Sequence, residues 1–387
     1  MSEKPMGLGG RRAHLFSAEH DLFRETVRRF LEKEVLPFNA EWEKNGIAPR
    51  EIWRKAGAAG LLLPDIPSEF GGGGGDFLHF AVLVEEIAGT LASGVSGFTT
   101  HSGVIAPYLL HFGSREQKKR WLPLLASGEV IAAIAMTEPS TGSDVKAIRT
   151  SAVKVPGGYR LNGQKTFITN GCNADRVLVA AKTDPQAGRQ GISLLWVDAD
   201  SKGFSRGKLL DKLGQKAQDT AELFFEDVFV PEQDRLGEEN KAFTYLMRGL
   251  VQERLMVAMR SIRLLEAALE WTVSYAKERT TFGKPLIEHQ HLRFKLAEVK
   301  TLAYTTRVLV DHCLAEHMQD ALSPEEAAMA KLWASDATKA IDDLLQLYGG
   351  YGYITEYPIA RAYVDARPNR IYAGTNEIMK EIIARAL

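Results

Sequence analysis

Apolar residues recur every three or four positions over 17–38, with Phe23, Val27, Phe30, Leu31 and Val35 on one stripe. That spacing turns one face of a helix toward a core. Ser17 stands where an N-cap is needed, Glu19 and Asp21 suit the positive first turn, and Pro37 is expected to close the run. The same spacing predicts helices over 51–58, 76–91, 103–112 and 116–126. From about Ala132 to Asn240 the texture changes to short runs rich in Val, Ile, Leu and Phe at 159–161, 165–169, 177–181, 192–197 and 221–230, punctuated by Gly and Pro. Asn162-Gly163 between the first two runs predicts a tight hairpin. Beyond Lys241 long helical patterns return, over 243–279, 292–318 and 324–348, with a last one after Thr375. Ser323-Pro324 is a start signal and Gly349-Gly350 a stop. The expected architecture is an α+β multidomain chain. It has an N-terminal helical domain (1–131), a middle β-barrel or sandwich (132–240) and a C-terminal helical bundle (241–387).

Charge and composition narrow the function classes. The 387 residues carry 48 Lys+Arg against 49 Asp+Glu, a net charge of −1, and no basic run exceeds Arg11-Arg12. Electrostatic binding to nucleic acid is not expected. The apolar run 130–136 falls far short of the ~18 residues that span a bilayer, so no membrane insertion is expected. Two cysteines, Cys172 and Cys313, make neither a disulfide framework nor a metal cluster, which points to a reducing compartment. Residues 1–12 lack an apolar signal core and Glu3 speaks against a transit peptide. The expected setting is the cytoplasm of a bacterium, or the mitochondrial matrix for a processed eukaryotic chain. The five glycines 71–75 lack a following Lys-Ser/Thr, and a flexible loop is expected there instead of a phosphate cradle. No GxGxxG follows a strand, and neither HExxH nor GxSxG occurs. His289 and His291 flank Gln290 without a convergent ligand set, and no metal is expected.

One acidic residue stands out. Glu253 has Gly249, Leu250, Met256 and Val257 at helical spacing, so it lacks the i,i+3 or i,i+4 partner of a surface Glu. A carboxylate on an apolar stripe either pairs with a distant Arg or is desolvated toward the pKa of a general base. Its neighbour Arg254 also points into apolar territory. Thr375, after Gly374, opens a helix and offers its N-terminus to an anion or simply caps it. Residues 137–144 form a dense polar turn, and 349–353 read as a helix stop with aromatic packing.

In this order the chain carries Ala135-Met136-Thr137-Glu138-Pro139, Gly142-Ser143-Asp144, Asn162-Gly163-Gln164-Lys165 and Phe167-Ile168-Thr169-Asn170-Gly171. There follow Glu278-Arg279, Thr281-Phe282-Gly283, His289-Gln290, Gln346 with Gly349-Gly350-Tyr351-Gly352-Tyr353, and Gly374-Thr375-Asn376-Glu377. Over nearly its whole length it resembles the acyl-CoA dehydrogenase family. The segments 329–335, 356–360 and 378–381 look most like the long-chain branch. The resemblance implies a four-helix C-terminal bundle, a homotetramer, bound FAD, an acyl-CoA substrate and electron-transfer flavoprotein as electron acceptor. It implies that Ile134, Ala135, Met136, Thr137, Gly142, Ser143, Phe167, Ile168 and Thr169 surround the flavin ring, with Phe167 where the family more often has Trp. Arg279, Phe282 and Gln290 would reach the cofactor across a subunit interface. Gln346, Gly349, Gly350, Thr375 and Glu377 would complete its site. Ser143, Val251, Arg254, Tyr372 and Gly374 would contact the acyl-CoA.

Many members carry the catalytic Glu directly before Gly-Thr, where this chain has Ala373. Long-chain and isovaleryl-CoA dehydrogenases resemble it in having a small residue there, with the base in a segment like Gln252-Glu253-Arg254-Leu255. That implies Glu253 as base and the Ala373 backbone N–H as a donor to the thioester oxygen. The small residues Ser96 and Gly97 are expected at the end of a deep acyl pocket. Kept open are a branched-chain dehydrogenase, an oxygen-using flavin oxidase or monooxygenase of this fold, and a non-catalytic acyl-CoA-binding scaffold.

Overall fold

The computed structural model describes Arg12 and residues 14–387. The readings made on residues 1–11 lie outside these. Ser17 begins the first helix as its spacing predicts. Its N–H donates to His20 Nδ1 at 2.9 Å, and α1 (Ala18–Phe30) follows. Pro37 does not end the run. A π-turn, Leu31–Val35, widens the ladder before it, so Pro37 falls in the first turn of α2 (Leu36–Asn45), where a missing N–H costs little. Then come α3 (Glu51–Ala58), α4 (Phe77–Thr90), short α5 (Gly97–Thr100), a second π-turn (His101–Ile105), α6 (Ala106–Phe112) and α7 (Arg115–Ala126). The glycine run is anchored, contrary to expectation. The N–H groups of Gly73, Gly74 and Gly75 donate to the carbonyls of Leu63, Ile66 and Pro64 at 2.9–3.0 Å. A Cβ at Gly72 would sit 2.3 Å from the Ile66 carbonyl, so close backbone approach is what requires glycine there.

The middle segment holds β1 (Ala132–Ala135), β2 (Ser151–Val155), β3 (Gly158–Thr169), β4 (Arg176–Lys182), β5 (Ile192–Asp198), β6 (Phe204–Leu209), β7 (Thr220–Pro231) and β8 (Arg235–Leu236). They form one mixed sheet in the order β6-β7-β3-β2-β4-β5-β8, with β1 parallel to β4. It is not a closed barrel. Edge strand β8 has two residues, too few to carry a seam across to β6. Both faces of β4 are buried: Val177, Val179 and Ala181 enter the sheet's own core, and Leu178 and Ala180 the core shared with the helices. That explains its unbroken apolar run. The predicted hairpin at Asn162-Gly163 is absent. Both halves belong to β3, which pairs with β7 throughout, and the pair forms a bulge between Leu161 and Gly163. Gly163 (φ +146°) admits Thr150, whose Oγ1 would lie 2.6 Å from an added Cβ. The hairpin is at Pro156-Gly157, where Gly157 has φ +82°.

The last segment is built on α8 (Ala242–Glu278), followed by a small ribbon of β9 (Thr280–Thr281) and β10 (Lys284–Pro285). Then come α9 (Gln290–Met318), α10 (Pro324–Ala337), α11 (Ala340–Gln346), α12 (Pro358–Ala366) and α13 (Asn376–Ala384). The expected helix over 324–348 is two. Thr338 Oγ1 donates to the Ser335 carbonyl at 2.6 Å, a side-chain bond that competes with the helical ladder at the break. Helix α12 was not anticipated. Helix α8 packs against α4, α9 and α10, and is the spine on which the other helices sit. A buried ion network ties them. Glu85 on α4 accepts from Arg12 (3.0 Å), Arg24 (3.3 Å) and Arg307 of α9 (2.7 Å), and Arg307 also reaches Glu266 of α8 (2.6 Å). Burial alone would raise the Glu85 pKa, but the three guanidiniums outweigh it and hold the carboxyl well below its usual range. Among the described residues no helix is long and apolar enough to cross a membrane.

Candidate active site

Glu253 sits in the middle of α8 and is buried. Tyr108, from α6, donates its hydroxyl to Glu253 Oε1 at 3.1 Å. The approach depends on Gly249, one turn earlier on α8, where a Cβ would lie 2.4 Å from the Tyr108 hydroxyl oxygen. A mid-helix glycine costs about 1 kcal/mol against alanine, and here it makes room for a phenol. Gln252 fixes the same junction by donating to the Gly103 carbonyl of the π-turn at 2.7 Å. Phe112 stacks on Tyr245 with ring centroids 4.0 Å apart. Glu253 and Tyr108 form part of the wall of a cavity of about 300 Å3, lined on one part by apolar Val104, Pro107, Val251 and Leu322 and on another by polar His111, Arg248, His317 and Asp320. Burial raises the Glu253 pKa from 4.5 to about 7, partly opposed by the Tyr108 bond and the charge of Arg254. No cation lies within ion-pair distance of it among the described residues. The distant-Arg reading is therefore not what the structure contains.

Tyr108→Phe tests this geometry. The lost bond stabilised the carboxylate, so the Glu253 pKa moves above about 7 by roughly one unit. The acid limb of a kcat/KM–pH profile is expected to move upward by the same amount. A limb that stays or moves down contradicts the contact.

Arg254 is also buried, with its Nε unpartnered and its pKa lowered by burial. Ala373 and Gly374 take consecutive left-handed conformations (φ +54° and +88°) before α13. Thr375 caps that helix, accepting from the Ile378 N–H at 3.4 Å. Tyr372 donates to Asn369, which in turn donates to Ser261 of α8 at 3.0 Å.

The turn after β1 is held by a buried ion pair that the sequence did not reveal. Lys165 donates to Glu138 and to the Met136 carbonyl, each at 2.9 Å, and Glu138 accepts the N–H of Thr150 at 2.9 Å. Thr166 N–H donates to the Thr137 carbonyl at 3.0 Å. This draws Ile134, Ala135, Met136 and Thr137 together with Phe167, Ile168 and Thr169. The β3–β7 bulge places Phe167 at φ +59° and leaves its ring 68 % exposed. Thr169 Oγ1 accepts from Gln218 at 3.1 Å. Gly142 and Ser143 lie exposed on the turn. A further group gathers beyond the end of α8. The Arg279 guanidinium lies 5.7 Å from the Tyr351 ring centroid, next to Gly349 and Gly350, and Phe282 (98 % exposed) lies by His289 and Gln290. Gln346 and Glu377 are exposed. Ser96 and Gly97 do not line the cavity. Gly97 packs on Asn170 and Trp53, and the Ser96 hydroxyl faces Arg260 at 3.5 Å.

Family models for the acyl-CoA dehydrogenase N-terminal, middle and C-terminal domains match residues 17–129, 133–228 and 240–387. The chain belongs to the acyl-CoA dehydrogenase family. Its members are FAD-dependent oxidoreductases, and the long-chain relatives connect this chain with fatty acid β-oxidation. The long-chain specific acyl-CoA dehydrogenase of Sus scrofa mitochondria is 49% identical over 389 residues, covering 100% of this chain and 90% of the relative. An acyl-CoA dehydrogenase of Bacillus subtilis (strain 168) is 41% identical over 370 residues, 95% of this chain and 98% of the relative. The crystal structure of acyl-CoA dehydrogenase from Geobacillus kaustophilus superposes with a TM-score of 0.94 at 48% identity, covering 96% and 98% of the two chains. The donor set fits the family's cofactor. Hydroxyls of Thr137, Ser143, Thr169 and Thr375, amides of Gln290 and Gln346, and the Arg279 guanidinium suit a polar heteroaromatic ring and a pyrophosphate, and the exposed Phe167 offers an apolar edge.

Proposed function

We propose that this protein converts a fatty acyl-CoA thioester of medium or long chain to the trans-2-enoyl-CoA, with Glu253 removing the α-proton. The observation that carries the reading is the carboxyl itself. It is buried, bonded to a neutral phenol, unpaired with any cation among the described residues, and part of the wall of a cavity that Val104, Pro107, Val251 and Leu322 help to line. A pKa of about 7 leaves it free to accept a proton near neutral pH. An α-proton is too weakly acidic to leave unless the thioester oxygen is polarised, and the Ala373 backbone N–H is the donor for that oxygen. Alanine keeps that N–H, so the base can reside on α8 without loss of the donor. Val251 guides the acyl chain along the cavity, while Ser143, Arg254, Tyr372 and Gly374 bind the thioester and CoA portions.

Bound FAD would supply the acceptor for the hydride that leaves Cβ. The residues from Ile134 to Thr137, Gly142, Ser143 and Phe167 to Thr169 hold its ring. Thr375 and Glu377 would bind the remainder, together with Arg279, Phe282 and Gln290 of a neighbouring copy and with Gln346, Gly349 and Gly350, which gather beside Arg279. The almost fully exposed Phe282, with exposed Phe294, Tyr304 and Trp333 on α9 and α10, supports a homotetramer that buries them. Three domains with the boundaries 1–131, 132–240 and 241–387, electron-transfer flavoprotein as electron acceptor and a cytoplasmic setting complete the proposal. The free cysteines Cys172 and Cys313 agree with a reducing compartment.

Anaerobic titration of the flavin spectrum with acyl-CoAs from C4 to C18 and with isovaleryl-CoA tests the reading. Fastest bleaching by a medium or long straight chain is expected. Fastest bleaching by isovaleryl-CoA contradicts the chain class. A colourless protein, or turnover that consumes O2 and releases peroxide, contradicts dehydrogenation itself.

A further inference from the structure

Beneath the turn that carries Ala373 lies a charged group with no part in the chemistry so far. Lys331, on α10, has no solvent exposure. Its ammonium donates to the Gly374 carbonyl and to Asn376 Oδ1, both at 2.8 Å. Asn376 is fixed in turn, donating to Asp336 Oδ1 at 2.9 Å and accepting from the Ser335 hydroxyl at 3.1 Å. No carboxylate lies within ion-pair distance of Lys331 among the described residues. A buried ammonium with only neutral acceptors is costly, and a solvated lysine elsewhere on α10 would avoid that cost. What this lysine holds is a turn with two successive left-handed residues, one of them bearing a side chain. Such a conformation persists only when its surroundings fix it. The charged groups around Lys331 are Arg254 on α8, Glu377 on α13 and Asp336 on its own helix. Arg254 is itself buried with an unpartnered Nε, so Lys331 and the cation that acts on it both lack an ion-pair partner among the described residues.

We propose that Lys331 is a positioning residue for the thioester oxygen: it locks the 373–375 turn from below through Gly374 and Asn376, and its charge, with that of Arg254, stabilises the negative charge that develops on that oxygen. The inference rests on the reading that the Ala373 N–H faces the thioester. As the α-proton passes to the Glu253 carboxylate, the C–H electron pair moves toward the carbonyl carbon and charge gathers on oxygen. Glu253 is neutralised in the same event, so the negative charge moves from α8 toward the turn that Lys331 supports. Fixed charge already in place there needs no reorganisation as the reaction proceeds. Burial first, and then the charge of Arg254, lower the Lys331 pKa to about 8, opposed by Glu377 and Asp336. The ammonium is therefore present at neutral pH and lost as pH rises through about 8.

A 3-ketoacyl-CoA such as acetoacetyl-CoA tests this without the base, because it ionises to an enolate by itself. The holoenzyme and its Lys331→Gln and Lys331→Met variants are titrated with it across pH, reading the enolate by ultraviolet absorbance. A saturated alkyl-CoA thioether, which has no thioester oxygen, serves as reference ligand. The wild type is expected to lower the pKa of the bound ketoacyl ligand, and its enolate affinity is expected to fall above pH 8 or so. Lys331→Gln, which keeps an amide donor, is expected to raise the bound ligand's pKa by at least about one unit, roughly a tenfold loss of enolate affinity, and to lose the alkaline limb. It is expected to bind the thioether as before, and Lys331→Met to lose more. Equal enolate binding by wild type and Lys331→Gln overturns the proposal, as does parallel loss of both ligands. If the variants fail to fold, a wild-type profile without the alkaline limb overturns it. A wild type that leaves the ligand pKa at its free value overturns the reading of the turn itself.

Discussion

Glu253→Gln is expected to give a folded, yellow flavoprotein whose flavin acyl-CoA no longer bleaches. Glutamine matches glutamate in shape and can still bond to Tyr108, so the cavity and the α6–α8 junction persist. Only the proton acceptor is lost, and general-base catalysis of this kind is worth roughly 10²–10⁴-fold in rate. Anaerobic stopped-flow reduction of the variant checks it, and bleaching at the wild-type rate removes Glu253 from its role. The same substitution has a signature in stability. The carboxyl has a pKa of 4.5 when exposed and about 7 in the fold, so the folded state favours the proton. Its contribution to stability is present below pH 4.5 and is lost as pH climbs through 7. The glutamine variant lacks that loss. Relative to the parent it is expected to gain on the order of 1–3 kcal/mol between pH 5 and pH 8, read as the pH dependence of the difference in unfolding midpoint.

The second large effect lies in the ion network behind α8. Glu85→Ala leaves the Arg307 guanidinium, which is buried, with Glu266 and Asp311 but without its α4 partner, and leaves Arg12 with Asp311 and Arg24 with Glu86. Breaking a buried pair from one side costs on the order of 3–5 kcal/mol. The variant is expected to unfold at distinctly lower denaturant concentration. Because the network clamps α4 and α9 to the helix that carries Glu253, flavin reduction is expected to become slower and more temperature-sensitive. A denaturation midpoint equal to that of wild type contradicts this assignment.

Sequence and structure agree best where the pattern is long and local. Helix α8 was legible because 37 residues repeat one apolar spacing with a single glycine, and Glu253 because nothing at helical distance could pair with it. Its hydrogen-bond partner was not legible. Tyr108 lies 145 residues away and reads as one more aromatic on an apolar helix. The trace of it in the sequence is Gly249, a glycine one turn from an unpaired Glu, which signals a close approach without naming what approaches. Local turn preference failed at Asn162-Gly163 because pairing along β7 on both sides of the dipeptide outweighs it. Pro37 failed as a stop because a π-turn had already opened the ladder. The Lys165–Glu138 pair and Lys331 look like solvated charges in sequence. Their burial is imposed by a neighbouring turn and by a loop some forty residues later, which no local window contains.

The central claim is that one carboxyl takes the α-proton, and hydrogen exchange measures that step without the oxidation that follows. Wild type and Glu253→Gln are incubated in D2O with an acyl-CoA analogue blocked at Cβ, and NMR follows the α-hydrogens. The account predicts stereospecific loss of one α-hydrogen with the wild type, faster as pH rises through about 7, and none above background with the variant. Equal exchange by both proteins would contradict it.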